Sequence, residues 1–127
     1  METVGKFLAV AAGGALGAIA RFAISNSFLA FLFNSFPLPT FFINITGSLL
    51  ISFLLTLATE RIEMSENLRL FLTVGFLGAY TTFSAFEFEA LSLVRAKEFL
   101  NAALYVVLSV SLGFISVLAG VWLARKI

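Results

Sequence analysis

One amide and four hydroxyls recur every four residues through a long apolar stretch: Thr40, Asn44, Ser48, Ser52 and Thr56. On an α-helix this spacing gathers them into one slowly drifting stripe. Such groups are neutral hydrogen-bond donors, and inside a membrane they mark a face turned away from lipid. The serines and threonines suit equally well a seam where two helices pack closely. Asn44 fits a seam less easily, because its amide carries two donors that must be satisfied wherever it is buried. A second line at the same spacing, Asn101, Tyr105, Ser109 and Gly113, lies nearer the C-terminus. A third, Gly13, Gly17, Arg21 and Ser25, joins a small-xxx-small pair, suited to close backbone approach, to one guanidinium. Arg21 either snorkels to an interface or stands at a water-filled mouth and draws anions in.

Residues 75–89, GFLGAYTTFSAFEFE, mix glycine, hydroxyls and aromatics where uniform apolar filler would be expected. Gly78 through Thr82 is poor helix material, and a break there releases backbone groups that need new partners. Freed carbonyls suit a cation, while freed N–H groups and hydroxyls suit an anion. A glycine-softened kink that serves packing alone is the plainer alternative.

The elements that must position these residues follow from composition. Of 127 residues 61% are hydrophobic and 12% charged, and the mean hydropathy is +1.07. Too few charges are present to cover a soluble surface, so lipid is the expected surroundings. A net charge of +1 leaves no basic footprint for nucleic acid. With no cysteine and no histidine, disulfides, thiolate nucleophiles, the usual zinc sites and the commonest general acid/base are all absent. Enzymatic activity is not expected.

Four runs are nearly free of charge: 7–33, interrupted by Arg21, then 41–59, 70–86 and 99–124. With their flanks they predict four transmembrane helices, about 4–33, 39–60, 67–94 and 98–125, in one domain over 1–127. Pro37 and Pro39 mark the first turn, Glu60 to Arg69 the second and Arg95 to Glu98 the third. Short connections predict antiparallel neighbours and one all-α bundle. The first apolar run begins at Phe7 with no cleavage site ahead of it, so the N-terminus is expected to be the first span rather than a removable signal peptide.

Three segments, in order and spacing, resemble the Fluc/CrcB family of small fluoride ion channels: GGALGAIAR (Gly13 to Arg21), TFFINITG (Thr40 to Gly47) and TTFSAF (Thr81 to Phe86). The likeness runs the length of the chain. It implies an antiparallel, dual-topology homodimer in the cytoplasmic (inner) membrane of a prokaryote, with a third helix broken near its middle and two pores lined by both subunits. The resemblance implies passive fluoride export through those pores, relieving cells into which HF has entered and dissociated. By motif match, Asn44 donates its amide to fluoride, Phe83 and Phe86 present ring edges, and Thr82 and Ser84 add hydroxyls. Tyr105 and Ser109 resemble the family's polar track on the fourth helix, and Arg21, Thr40 and Glu89 fall near the vestibules. Backbone carbonyls of Gly78 and Thr81 from each subunit would hold a structural Na⁺ at the centre of the dimer interface.

The chain departs from the family pattern at Pro39, where a glycine is usual, at Gly78-Ala79-Tyr80, where Gly-Gly-Leu is favoured, and at Ala85, which lacks a common hydroxyl. Tyr80 brings a hydroxyl that must find a partner beside the expected break. A dual-topology drug exporter also has four spans, but its proton coupling needs a carboxylate within a membrane helix, usually the first, where this chain carries only Arg21. A scaffold protein would use the glycines and serines as packing devices throughout.

Lys6, Arg61, Arg69, Arg125 and Lys126 share one predicted face with three glutamates beside Arg61, against Arg95 and Lys97 on the other. So weak a positive-inside bias allows insertion both ways. Cysteine labelling of both termini in intact cells is expected to find each terminus on both sides of the membrane; one fixed side would exclude dual topology.

Overall fold

Apolar segments of this length bury their backbone polar groups only by bonding them internally, which in lipid means helices or closed barrels. The computed structural model describes residues Met1–Ile127, and every regular element is a helix. Four helical segments are long and apolar enough to cross a membrane: Glu2–Leu32, Leu38–Glu60, Glu66–Arg95 and Phe99–Lys126. The chain is accordingly a multi-pass membrane protein.

The first span is α1 (Glu2–Ser25) followed by a short α2 (Leu29–Leu32). Asn26 Nδ2 donates to Phe22 O at 2.8 Å and Ser27 Oγ to Ile24 O at 2.7 Å. Side chains thus take carbonyls of the last turn of α1, and the helix ends there although the apolar run continues. Pro39 sits in the first turn of α3 (Leu38–Glu60), where its missing N–H costs nothing.

The third span is the least regular. A single turn, α4 (Glu66–Arg69), runs into a π-helix over Leu70–Leu77, then α5 (Gly78–Tyr80) and α6 (Phe83–Arg95). Between α5 and α6 the backbone is extended at Thr81 (ψ 156°) and Thr82 (φ −150°, ψ 122°). The last span is α7 (Phe99–Lys126).

Contacts between the ends show the antiparallel order. Lys6 pairs with Glu66 at 2.8 Å, and Arg125 grips Glu60 through two bonds of 2.9 Å, so both chain ends meet the second connection. At the opposite end Ser35 Oγ donates to Glu98 Oε1 at 3.3 Å, joining the first connection to the third.

Glycines set the two main helix contacts. A Cβ on Gly13 would strike Phe71 O, and one on Gly17 would strike Phe76 O, so α1 lies with its backbone against the π-helix. A Cβ on Gly75 would sit 2.7 Å from Val10 O, completing the same contact from the other side. Gly120 of α7 likewise leaves room for Ser52 Oγ and Leu49 O of α3. The glycine pair read from the sequence is therefore a packing device within the subunit.

Tyr80 is buried, stacked on Phe76 (centroids 5.9 Å apart, 14° between planes), and its hydroxyl meets Thr46 Oγ1 at 2.9 Å. The hydroxyl that the sequence left without a partner is satisfied by the residue two after Asn44. Only 16 of 127 residues are buried in the subunit, and large side chains such as Phe7, Phe22, Phe31 and Phe114 face outward, a surface suited to lipid and not to water.

Gly14 lies beside the α1 seam, with a Cβ there 3.9 Å from Gly75 O. Gly17→Val is expected to lower stability by roughly 1–3 kcal/mol through overpacking, while Gly14→Ala stays within about 0.5 kcal/mol. Thermal melts of the purified variants check this, and equal losses would contradict the packing described.

Candidate functional site

The interruption in the third span exposes backbone groups, and side chains from two other spans answer them. In a continuous helix Thr82 N–H would donate to Gly78 O. Here it donates to Asn44 Oδ1 at 2.9 Å, and Asn44 Nδ2 returns a bond to Thr82 O, also at 2.9 Å. The amide thus pairs with one peptide unit much as a neighbouring strand would. Each such neutral bond contributes about 0.5–1.5 kcal/mol net, and leaving the same groups unpaired costs more. One of the two Asn44 N–H donors remains for a ligand.

Arg21 is half-buried, and its Nε donates to Ala79 O at 3.0 Å, covering another carbonyl that the interruption releases. Thr82 Oγ1 accepts from Ala85 N at 3.3 Å and so caps α6. Its hydroxyl proton is still free to donate. Ala85 N–H would otherwise bond Thr81 O, so both Gly78 O and Thr81 O lose their helical partners. These two carbonyls are hard oxygen ligands of the kind Na⁺ takes, and Gly78 is exposed on the subunit surface, so the donor set fits the cation that the resemblance implies.

Beside the interruption lies an open concavity of about 320 Å³. Its polar lining comes from Asn44, Ser48, Thr81, Thr82 and Ser109, its rings from Phe83 and Phe86, and no charged side chain reaches it. Ser109 Oγ is buried there with no hydrogen-bond partner. A buried hydroxyl without a partner is costly, and a ligand in the concavity would relieve it. The start of α6, with its positive dipole end, borders the same space.

One turn further along the three walls stands a second polar group. Thr40 is one turn from Asn44, Glu89 three residues from Phe86, and Tyr105 one turn from Ser109. Thr40 Oγ1 donates to Glu89 Oε1 at 2.8 Å and Tyr105 OH to Glu89 Oε2 at 2.7 Å. Thr40 and Glu89 line an open concavity of about 370 Å³. Phe86 lies between the two groups, its ring edge-on to Tyr105 at 5.1 Å. The two concavities share no lining residue: the first is a groove between α3, α6 and α7, the second lies between the first connection, α3 and α6, and Phe86 stands between them.

Most residues singled out in the sequence fall in one of these two places. Asn44, Thr82, Phe83, Phe86 and Ser109 line the first concavity, and Thr40, Glu89 and Tyr105 form the second cluster. Phe83 is 74% exposed and reaches the groove from its rim, while Ser84 is exposed and outside the lining. Arg21 joins neither concavity and sits on the far side of the interruption, at Ala79. Gly47, Ile51 and Val110 line the first concavity without having been anticipated. Gly47 was within reach of the same reasoning: it lies three residues from Asn44 on the same helical face, and a side chain there would strike the Thr81 methyl.

Residues 8–121 match the family described as CrcB-like protein, Camphor Resistance (CrcB). The chain is 46% identical over 122 residues to a Methylococcus capsulatus protein named Fluoride-specific ion channel FluC, covering 96% of this chain and 54% of that one. It therefore spans about half the length of that relative. Proteins of the same name from Nitrobacter winogradskyi (43% over 120 residues, 94% of this chain and 95% of the other) and Geobacter sulfurreducens (39% over 120 residues, 94% and 97%) match along nearly their whole lengths.

Because Ser109 Oγ is buried and bonds nothing in the subunit, Ser109→Ala removes an unsatisfied group and is expected to raise stability by about 1–3 kcal/mol. Tyr105→Phe strips a donor from the Glu89 carboxylate and should cost about 1–3 kcal/mol. Denaturant titration of the two variants checks the contrast. Equal costs would mean that Ser109 has a structural partner.

Proposed function

The chain belongs to the CrcB-like family, and from that membership and the groove's chemistry we propose that it is a fluoride-selective ion channel, not an enzyme. It passively exports fluoride across the cytoplasmic membrane of a prokaryotic cell, lowering cytoplasmic fluoride and conferring resistance to it. The observation that carries the reading is a concavity of amide, hydroxyl and ring-edge donors with no charged side chain, one wall of which carries Ser109, whose Oγ has no partner in the subunit. The names of the relatives supply the ion.

Fluoride is small and holds its water tightly, so a pore must substitute donors for water at close spacing. The free N–H of Asn44 and the hydroxyls of Ser109 and Thr82 can do so, and the edges of Phe83 and Phe86 carry the positive part of the ring quadrupole. Neutral donors bind each ion weakly enough to pass it on, whereas an arginine in the narrow part would hold it. Arg21 bears on the site through the backbone it covers and through long-range attraction toward the mouth.

The working unit is an antiparallel, dual-topology homodimer with two pores, each lined by both chains. Phe83, 74% exposed in one subunit, supports this, since a large ring at the rim of a polar groove calls for a covering surface. The third span then acts as two half-helices meeting at the interruption. Carbonyls of Gly78 and Thr81 from each subunit hold a central Na⁺, which ties the two subunits together and takes no part in conduction.

Purified protein in liposomes is expected to release fluoride without a proton gradient. Phe83→Ile removes a ring edge but keeps bulk, and Asn44→Ser shortens the donor's reach. Both should reduce throughput severalfold, and Phe83→Ile should leave the oligomer intact. A fluoride-selective electrode reads the efflux; no flux from the parent would reject the channel, and unchanged flux in a variant would remove that residue from the site.

A further inference from the structure

Four backbone positions around the interruption compete to become ligands, and the structure sorts them. Ala79 O is taken by Arg21 Nε and Thr82 O by Asn44 Nδ2. Thr82 N–H, the helical donor to Gly78 O, is drawn to Asn44 Oδ1, and Ala85 N–H, the helical donor to Thr81 O, is drawn to Thr82 Oγ1. Side chains thus consume two carbonyls and release two others.

From this accounting we propose that Asn44 is a positioning residue for the cation site: by holding Thr82 N–H it keeps the Gly78 carbonyl free to bind Na⁺. The inference rests on the cation reading above and gives Asn44 a second task. Its Oδ1 faces the backbone while its remaining N–H serves the groove, so one amide couples the frame of the interruption to the ion path. Without the Oδ1 acceptor, Thr82 N–H has one near alternative, Gly78 O, because a regular turn would restore that bond. A carbonyl already accepting from an N–H in line with the helix is a poorer ligand, and its direction is set by the helix and not by the ion. Gly47 keeps the geometry tight, since the Thr81 side chain occupies the space a Cβ there would need.

The test uses the full chain in detergent at constant ionic strength, with Na⁺ replaced stepwise by choline. Melting is followed by fluorescence of the single tryptophan, Trp122. A ligand that binds only the folded state raises the melting temperature in proportion to its occupancy, so the Na⁺ concentration giving half of the rise reports the site. Asn44→Leu, similar in volume but without polar atoms, should need at least tenfold more Na⁺ for half of the rise. Asn44→Asp keeps an acceptor for Thr82 N–H and should stay within threefold of the parent. A role confined to packing would lower the melting temperature equally in Na⁺ and choline and leave the midpoint within twofold, which overturns the inference but not the cation site. Should Asn44→Leu fail to fold, a tenfold shift in Asn44→Asp overturns it instead, because the acceptor is still present. A parent protein indifferent to Na⁺ would overturn both the inference and the cation site.

Discussion

Everything in this subunit turns on how two carbonyls and one N–H are kept bonded where the helix of the third span is interrupted. Hydrocarbon offers no partner, so the interruption survives only where other spans supply one. Asn44 supplies a matched donor and acceptor to the Thr82 peptide group, and Arg21 covers Ala79 O. The polar residues of the first and second spans are thus answers to the backbone of the third. The glycine contacts of α1 with the π-helix bring Arg21 close enough to serve, and Gly47 brings Asn44.

The groove follows from the same arrangement. Once Asn44 is anchored to Thr82, α3 and the start of α6 are held together, and α7, packed on α3 through Gly120, closes the third side. Residues one turn apart on three helices then form two polar groups, with Phe86 between them. Every donor in the first group is neutral, and the one carboxylate, Glu89, has its oxygens occupied by Thr40 and Tyr105. In the proposed channel, neutral donors of this kind would loosen an anion's water and still let the ion leave.

The low burial of the subunit belongs with this picture. A bundle that hides 16 of its 127 residues has spent little of its apolar surface on itself. Lipid accounts for the outward phenylalanines of α1 and α7. It does not account for Phe83 at the rim of a polar groove or for the exposed backbone at Gly78, where a second copy is the proposed cover.

Much was open to reading in the chain alone. Hydropathy gives four spans because a helix crossing hydrocarbon must be long and apolar, a property of composition that needs no neighbour. Four-residue spacing gives the polar stripes because helix geometry is local, and the same reading marks Gly78 to Thr82 as weak helix material. What local rules do not carry is the partner of each polar atom. The stripe through Thr40, Asn44, Ser48 and Ser52 looks uniform in sequence, yet its members go to a carboxylate, a peptide group, a concavity and a helix contact in turn. Arg21 suits a vestibule by charge and spacing, and nothing local foretells that its Nε covers Ala79 O. The π-helix at Leu70–Leu77 and the early end of α1 left no mark in the apolar pattern, since both depend on which carbonyls find other donors. By itself the sequence determined which atoms must be satisfied in the membrane; only the tertiary structure decided by whom, because hydrogen bonds between spans depend on approach distances that the glycine contacts set.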